Sequence, residues 1–252
     1  MKLFIALILS LSLMAQAEIT IACAGNMQFA MNDIIKSYQN STNKKVTAVF
    51  GSMGKLNAQI LNGAPFDVVV SADMNYVDVL FKKGYAQNAA KEYARGKLVI
   101  WTIKDLDLSK GIEILKSPTV KSIAVGDPKM TVYGPAAMQV MEKGAILAQV
   151  KSKIIYADNI MMIAQYIGSG NADIGFASLS YTQSGPMAGK GRYVLIDSTL
   201  YSPMPQGASV LRYGLDNNPK EAKAFYDYLF APQSRAILSK HGYALPQTTK
   251  DQ

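Results

Sequence analysis

Residues 46–60 constrain the fold more than any other stretch. The β-branched run Val46-Thr47-Ala48-Val49-Phe50 stops at Gly51-Ser52, and a helical pattern through Met53, Leu56 and Ile60 begins at once. The same device recurs along the chain. Ile19-Thr20-Ile21-Ala22-Cys23-Ala24 ends at Gly25-Asn26, after which Phe29, Ala30, Ile34, Ile35 and Tyr38 fall at helical spacing. Ser122-Ile123-Ala124-Val125 leads through Thr131-Val132-Tyr133-Gly134-Pro135 into a helix, and Ile154-Ile155-Tyr156-Ala157 leads through Asp158-Asn159-Ile160 into another. Phe66-Asp67-Val68-Val69-Val70 reads as a strand buried on both faces, as in parallel sheets flanked by helices. Strands alternating with helices in this way predict an α/β fold.

Each strand-to-helix loop leaves the first N–H groups of its helix without intrahelical partners, and with the helix dipole these form a ready anion site. A nucleotide phosphate loop is excluded, because Val49 stands where its first Gly is required and Leu56 where Ser or Thr is required. Three bland roles stay open at this point. Gly51 and Gly54 can serve only a tight turn, Asn26 can be only a helix cap, and the Tyr133 phenol can lie in the core. Pro135 suits the first turn of its helix.

The amino terminus is a basic start, an apolar run to Leu13 and the A-x-A signal Ala15-Gln16-Ala17, so an exported chain cleaved after Ala17 is expected. Losing Lys2 lowers the formal charge from +8 to +7, which favours negative ligands or solubility. The lysines are scattered without a nucleic-acid signature, and nucleic acid is not an expected partner. A single Cys excludes an internal disulfide, so the core must hold this chain together. The lone His241 stands where a cation complements a helix C-terminus, and no spacing of Cys, His and carboxylates marks a zinc or iron site. Strand patterns at Leu98-Val99-Ile100-Trp101 and Gly207-Ala208-Ser209-Val210 mark two crossings between lobes. The expected division is a signal peptide at 1–17, a first lobe at 18–97 and 209–252, and a second lobe at 98–208.

The motifs Ala22-Cys23-Ala24-Gly25-Asn26, Phe50-Gly51-Ser52-Met53-Gly54-Lys55-Leu56, Asn62-Gly63-Ala64-Pro65-Phe66-Asp67, Ser71-Ala72-Asp73 and Ala124-Val125-Gly126-Asp127-Pro128 together resemble those of the periplasmic molybdate-binding proteins of ABC uptake systems. The resemblance covers nearly the whole mature length. It implies a type II periplasmic-binding-protein fold, with two α/β lobes of mostly parallel sheet joined by two hinge strands. It also implies capture of molybdate or tungstate in the cleft by neutral hydrogen-bond donors, and delivery to a membrane permease by a monomer that carries no cofactor and catalyses no reaction. Matched position by position, the oxyanion ligands fall on Asn26, Ser52, Met53, Tyr133 and Ile160. Met53 departs from the family pattern by lacking a hydroxyl, and Ser178 stands where some members carry a ligand Tyr, so the Tyr133 hydroxyl is the expected substitute. The alternatives are a protein for sulfate or another tetrahedral oxyanion, and an exported enzyme acting on a phosphorylated substrate.

Overall fold

The computed structural model describes residues 18–246, so the expected leader at 1–17 and its cleavage lie outside the described residues. The chain opens with β1 (Ile19–Ala24), α1 (Gln28–Thr42), β2 (Val46–Gly51), α2 (Met53–Leu61), β3 (Val68–Ser71), α3 (Met74–Lys82) and β4 (Lys91–Arg95). It crosses at Gly96-Lys97 into β5 (Leu98–Thr102), β6 (Ile123–Gly126), α4 (Tyr133–Lys143), α5 (Leu147–Val150), β7 (Ile154–Ala157), α6 (Ile160–Gly168), β8 (Ile174–Ser178), α7 (Leu179–Thr182) and β9 (Arg192–Leu195). The return strand β10 (Pro205–Val210) is followed by α8 (Arg212–Asn217), α9 (Pro219–Leu229) and α10 (Pro232–Lys240). Pro219 and Pro232 each occupy a first helical turn, where the missing N–H costs nothing.

The two sheets follow one plan. Their orders are β2-β1-β3-β10-β4 and β7-β6-β8-β5-β9. In each, three strands pair in parallel around the first of them in sequence, and a single reversed strand, β10 or β5, separates that trio from the edge strand. The register pairs Ala24 directly with Gly51, and Gly126 with Ala157, so the carboxyl ends of neighbouring strands lie side by side. β10 lies wholly in the first sheet, with Gly207 to Val210 paired to Ser71 to Val68. The return therefore precedes Pro205 and not position 209, because this small, apolar run is buried between β3 and β4 and cannot serve as the exposed crossing.

Burial explains why the strands read as continuous apolar runs. In β1, Ile19, Ile21 and Cys23 face the core beneath α1, α9 and α10, while Ala22 and Ala24 face the one formed with α2 and α3. The second lobe has a single core around Trp101, Phe176, Ile163 and Val140. Two carboxylates tie loops to these sheets. Asp67 accepts the Thr20 N–H at 2.7 Å and the Asn218 Nδ2 at 2.9 Å. Asp173 accepts the N–H groups of Lys121 at 2.6 Å and Ser122 at 3.0 Å, together with the Lys104 ammonium.

Burial pushes the Asp173 carboxyl up, but the Lys104 ammonium and the two N–H groups outweigh it and hold it below the ordinary range. A lowered carboxyl contributes stability that is present above its unfolded value and is lost as pH falls through the folded one. Asp173→Asn is expected to cost about 2 kcal/mol at pH 7 and to flatten the loss of stability below the ordinary Asp value of 3.8, as read by urea unfolding across the acid range.

Candidate functional site

Because the parallel trios end on one edge of each sheet, the helices after β1, β2, β3, β6 and β7 all begin around one cavity between the lobes. Its volume is about 70 Å³, several times the roughly 10–15 Å³ that one water needs on the same measure, so it holds an ion or molecule of a few heavy atoms. Asn26, Ser52, Met53, Tyr133 and Ile160 all line it. Among the described residues no Lys, Arg or His does. Two carboxylates stand among the lining residues. Asp73 is occupied in capping α3, accepting the Asn75 N–H at 2.9 Å, and Asp158 is exposed.

The starts of α2, α4 and α6 leave donors unspent. Ser52 holds the cap position of α2 with extended backbone (φ −72°, ψ 139°), yet its hydroxyl caps nothing, so Oγ and the N–H groups of Met53 and Gly54 are free of intrahelical bonds. At α4 the Thr131 hydroxyl takes the Gly134 N–H at 3.0 Å and leaves that of Tyr133. At α6 the Asn159 carboxamide oxygen takes the Met162 N–H at 2.9 Å and leaves those of Ile160 and Met161. The departure at Met53 is thereby explained in part: its side chain is buried with Ala22, Leu56 and Val69, and only its backbone is left for a ligand.

Two side chains are turned differently from the expectation. The Asn26 amide hydrogens are engaged within the protein, with Nδ2 donating to Gln206 Oε1 at 3.3 Å and to Tyr243 Oη at 3.5 Å. The Tyr133 hydroxyl is buried beside Ser178, Asn26 and Gln206, packs over Gly96 and has no hydrogen-bond partner, and the Tyr133 N–H is uncommitted as well. Burial pushes this phenol up to about 12 against the opposing pull of those polar neighbours, and it stays protonated at neutral pH. Ser178 lies outside the cavity lining and caps α7, accepting the Tyr181 N–H at 3.2 Å. Sequence reasoning passed over Ala72, Asp73 and Tyr76, which line the cavity from the end of β3. The signal was present, since Ser71-Ala72-Asp73-Met74 is a strand-to-helix loop like the others.

A family model described as bacterial extracellular solute-binding protein matches residues 19–244. The chain belongs to this family. The molybdate-binding protein ModA of Azotobacter vinelandii is 35% identical over 231 residues, spanning 91% of this chain and 90% of the relative. Among solved structures, the Azotobacter vinelandii periplasmic molybdate-binding protein superposes with a TM-score of 0.82 at 27% identity, over 91% of this chain and 100% of that one. The substrate-binding domain of a putative molybdenum ABC transporter from Clostridium difficile gives 0.72 at 26% identity, over 91% and 99%.

In this solute-binding protein the lone histidine joins the lobes. His241 ends α10, its Nε2 bonded to Asp33 at 2.8 Å and its Nδ1 to Ser184 at 2.7 Å. These are the residue types of a nucleophilic triad, but Ser184 is only 5% exposed and none of the three lines the cavity. Among the described residues no helix of this solute-binding protein is long and apolar enough to cross a membrane.

The third helix start is held by a close approach that only glycine permits. A Cβ at Gly134 would meet the carbonyl oxygen of Gly126 and lie 2.8 Å from the carbonyl carbon of Asp127. Gly134→Ala is expected to destabilise the protein by about 1–3 kcal/mol, read by thermal unfolding, and to weaken ligand binding by displacing the first turn of α4.

Proposed function

We propose that this protein captures molybdate or tungstate between its lobes and presents it to the permease of an ABC transporter, without catalysing a reaction. The observation that carries this reading is the cavity itself. A space of about 70 Å³ ringed by uncommitted N–H groups and the Ser52 hydroxyl, with no cationic side chain, matches a small dianion that needs donors only. A protonated anion such as monohydrogen phosphate also requires an acceptor, and of the two lining carboxylates Asp73 is committed to capping α3 and Asp158 is exposed at the margin.

The working parts are a lobe formed by 18–97 with the chain from β10 onward, and a second lobe formed by the segment between them. Donors from α2 belong to one lobe and those from α4 and α6 to the other, so a bound anion favours the closed arrangement through contacts that an open one lacks. The protein works as an exported monomer in the periplasm, cleaved after Ala17. The oxyanion is its cargo; it has no resident cofactor or metal.

Isothermal titration at neutral pH with molybdate, tungstate, sulfate and phosphate tests the reading. Tight one-to-one binding of the first two with silence from the others is expected. Ser52→Ala should weaken molybdate binding about ten- to a hundredfold, the worth of one hydrogen bond to a charged group. Preference for sulfate, or silence from all four, would overturn the assignment of the ligand while leaving the fold in place.

A further inference from the structure

Beside the cavity, where the chain crosses between lobes, three buried polar atoms have no hydrogen-bond partner: Asn26 Oδ1, Gln206 Nε2 and Tyr133 Oη. All three residues are more than nine-tenths buried, with exposures of 7%, 0% and 2%. Unmatched polar atoms at such depth are costly and rare, and three together call for an account. They are neighbours. The Tyr133 hydroxyl lies beside both Asn26 and Gln206. A Cβ placed on Gly96 would be 2.7 Å from Tyr133 Oη and 3.3 Å from Gln206 Nε2, so both atoms crowd the same point above the first crossing.

They are also complementary. A carboxamide nitrogen only donates, a carboxamide oxygen only accepts, and a hydroxyl does both. The far sides of the two carboxamides are already fixed. Gln206 Oε1 accepts from Tyr93 Oη at 2.9 Å and from Asn26 Nδ2 at 3.3 Å, which turns its nitrogen away from those partners. Tyr243 Oη donates to the Asn26 backbone carbonyl at 2.8 Å and pins the first loop. Four of these five residues, Asn26, Tyr93, Gln206 and Tyr243, belong to the first lobe, and Tyr133 comes from the second.

We propose that Gln206 is a positioning residue for the anion site. It donates through Nε2 to Tyr133 Oη, which donates in turn to Asn26 Oδ1, so that a hydrogen-bond chain completed by lobe closure joins the first anion loop to the third. This rests on the oxyanion reading above. Gln206 lines no part of the cavity and touches no ligand. Its effect is to hold the Tyr133 ring, and with it the first N–H of α4, in register with the Asn26 loop of the opposite lobe. The chain forms only when a second-lobe residue seats between two first-lobe carboxamides, so its formation and closure are one event. Tyr133 then contributes a backbone donor to the ligand and a side-chain bond to closure.

The test is a double-mutant cycle on Gln206→Leu and Tyr133→Phe, with molybdate titration and ligand-free thermal unfolding measured on each protein. Each single variant should weaken molybdate binding about tenfold, and the double variant no more than the weaker-binding single one, because both remove the same chain. Gly96→Ala, whose new methyl displaces the Tyr133 hydroxyl, should reproduce Tyr133→Phe and add nothing to it. Additive losses, or wild-type affinity in Gln206→Leu, would overturn the proposal. A merely structural Gln206 would lower the unfolding temperature without this non-additivity in binding. If the wild-type protein ignores molybdate but binds sulfate or phosphate, only the assignment of the ligand fails, and the same cycle is read with the anion that binds: non-additivity sustains the chain and additivity removes it.

Discussion

The structure depends on parallel pairing around β1 and β6. Parallel neighbours must end on the same edge, and each must be followed by a crossover helix that starts there. Pairing Ala24 with Gly51 and Gly126 with Ala157 therefore settles where four helices begin before any ligand chemistry is considered. The reversed strands β5 and β10 complete the arrangement, each lying between its trio and the edge strand. The site is thus a by-product of sheet topology, and loop composition only tunes it.

The tuning consists of subtraction. Side chains cap some N–H groups and spare others: Thr131 satisfies the second donor of its helix, Asn159 the third of its own, and Ser52 satisfies none. A cationic side chain at this spot would attract any anion at long range and would need its own compensation when the cavity is empty. Backbone dipoles are fixed in place by the helices that carry them, demand little reorganisation, and are short in reach. Asp158 stands exposed at the margin of the cavity.

Much of this was legible in the sequence because it is local. Asn26, Ser52, Met53 and Ile160 each follow an apolar strand within three residues, Tyr133 follows after a longer turn, and periodicity places them at helix mouths. Ala72 and Asp73 carried the same signal. The orientation of side chains was not legible. Asn26 meets Gln206 across 180 positions, and His241 meets Asp33 across 208, and no local pattern encodes which carboxamide oxygen will face which hydroxyl. The end of the second lobe was misplaced for a related reason: a strand buried in the interior of one sheet reads the same in sequence whichever sheet receives it.

The two crossings bear on the order in which the molecule is assembled. The Gly96 N–H bonds to the Met204 carbonyl at 3.0 Å, so the outgoing and returning strands are tied to each other as well as to their sheets. Every strand of the second sheet comes from one uninterrupted segment, 98–195. The first sheet has a gap between β3 and β4 that stays open until Pro205 to Val210 have been made. Of two sheets with the same plan, the one begun first is the one finished last, and its closure carries the greater loop entropy. A chain interrupted before β10 would hold a finished second lobe beside half of a site.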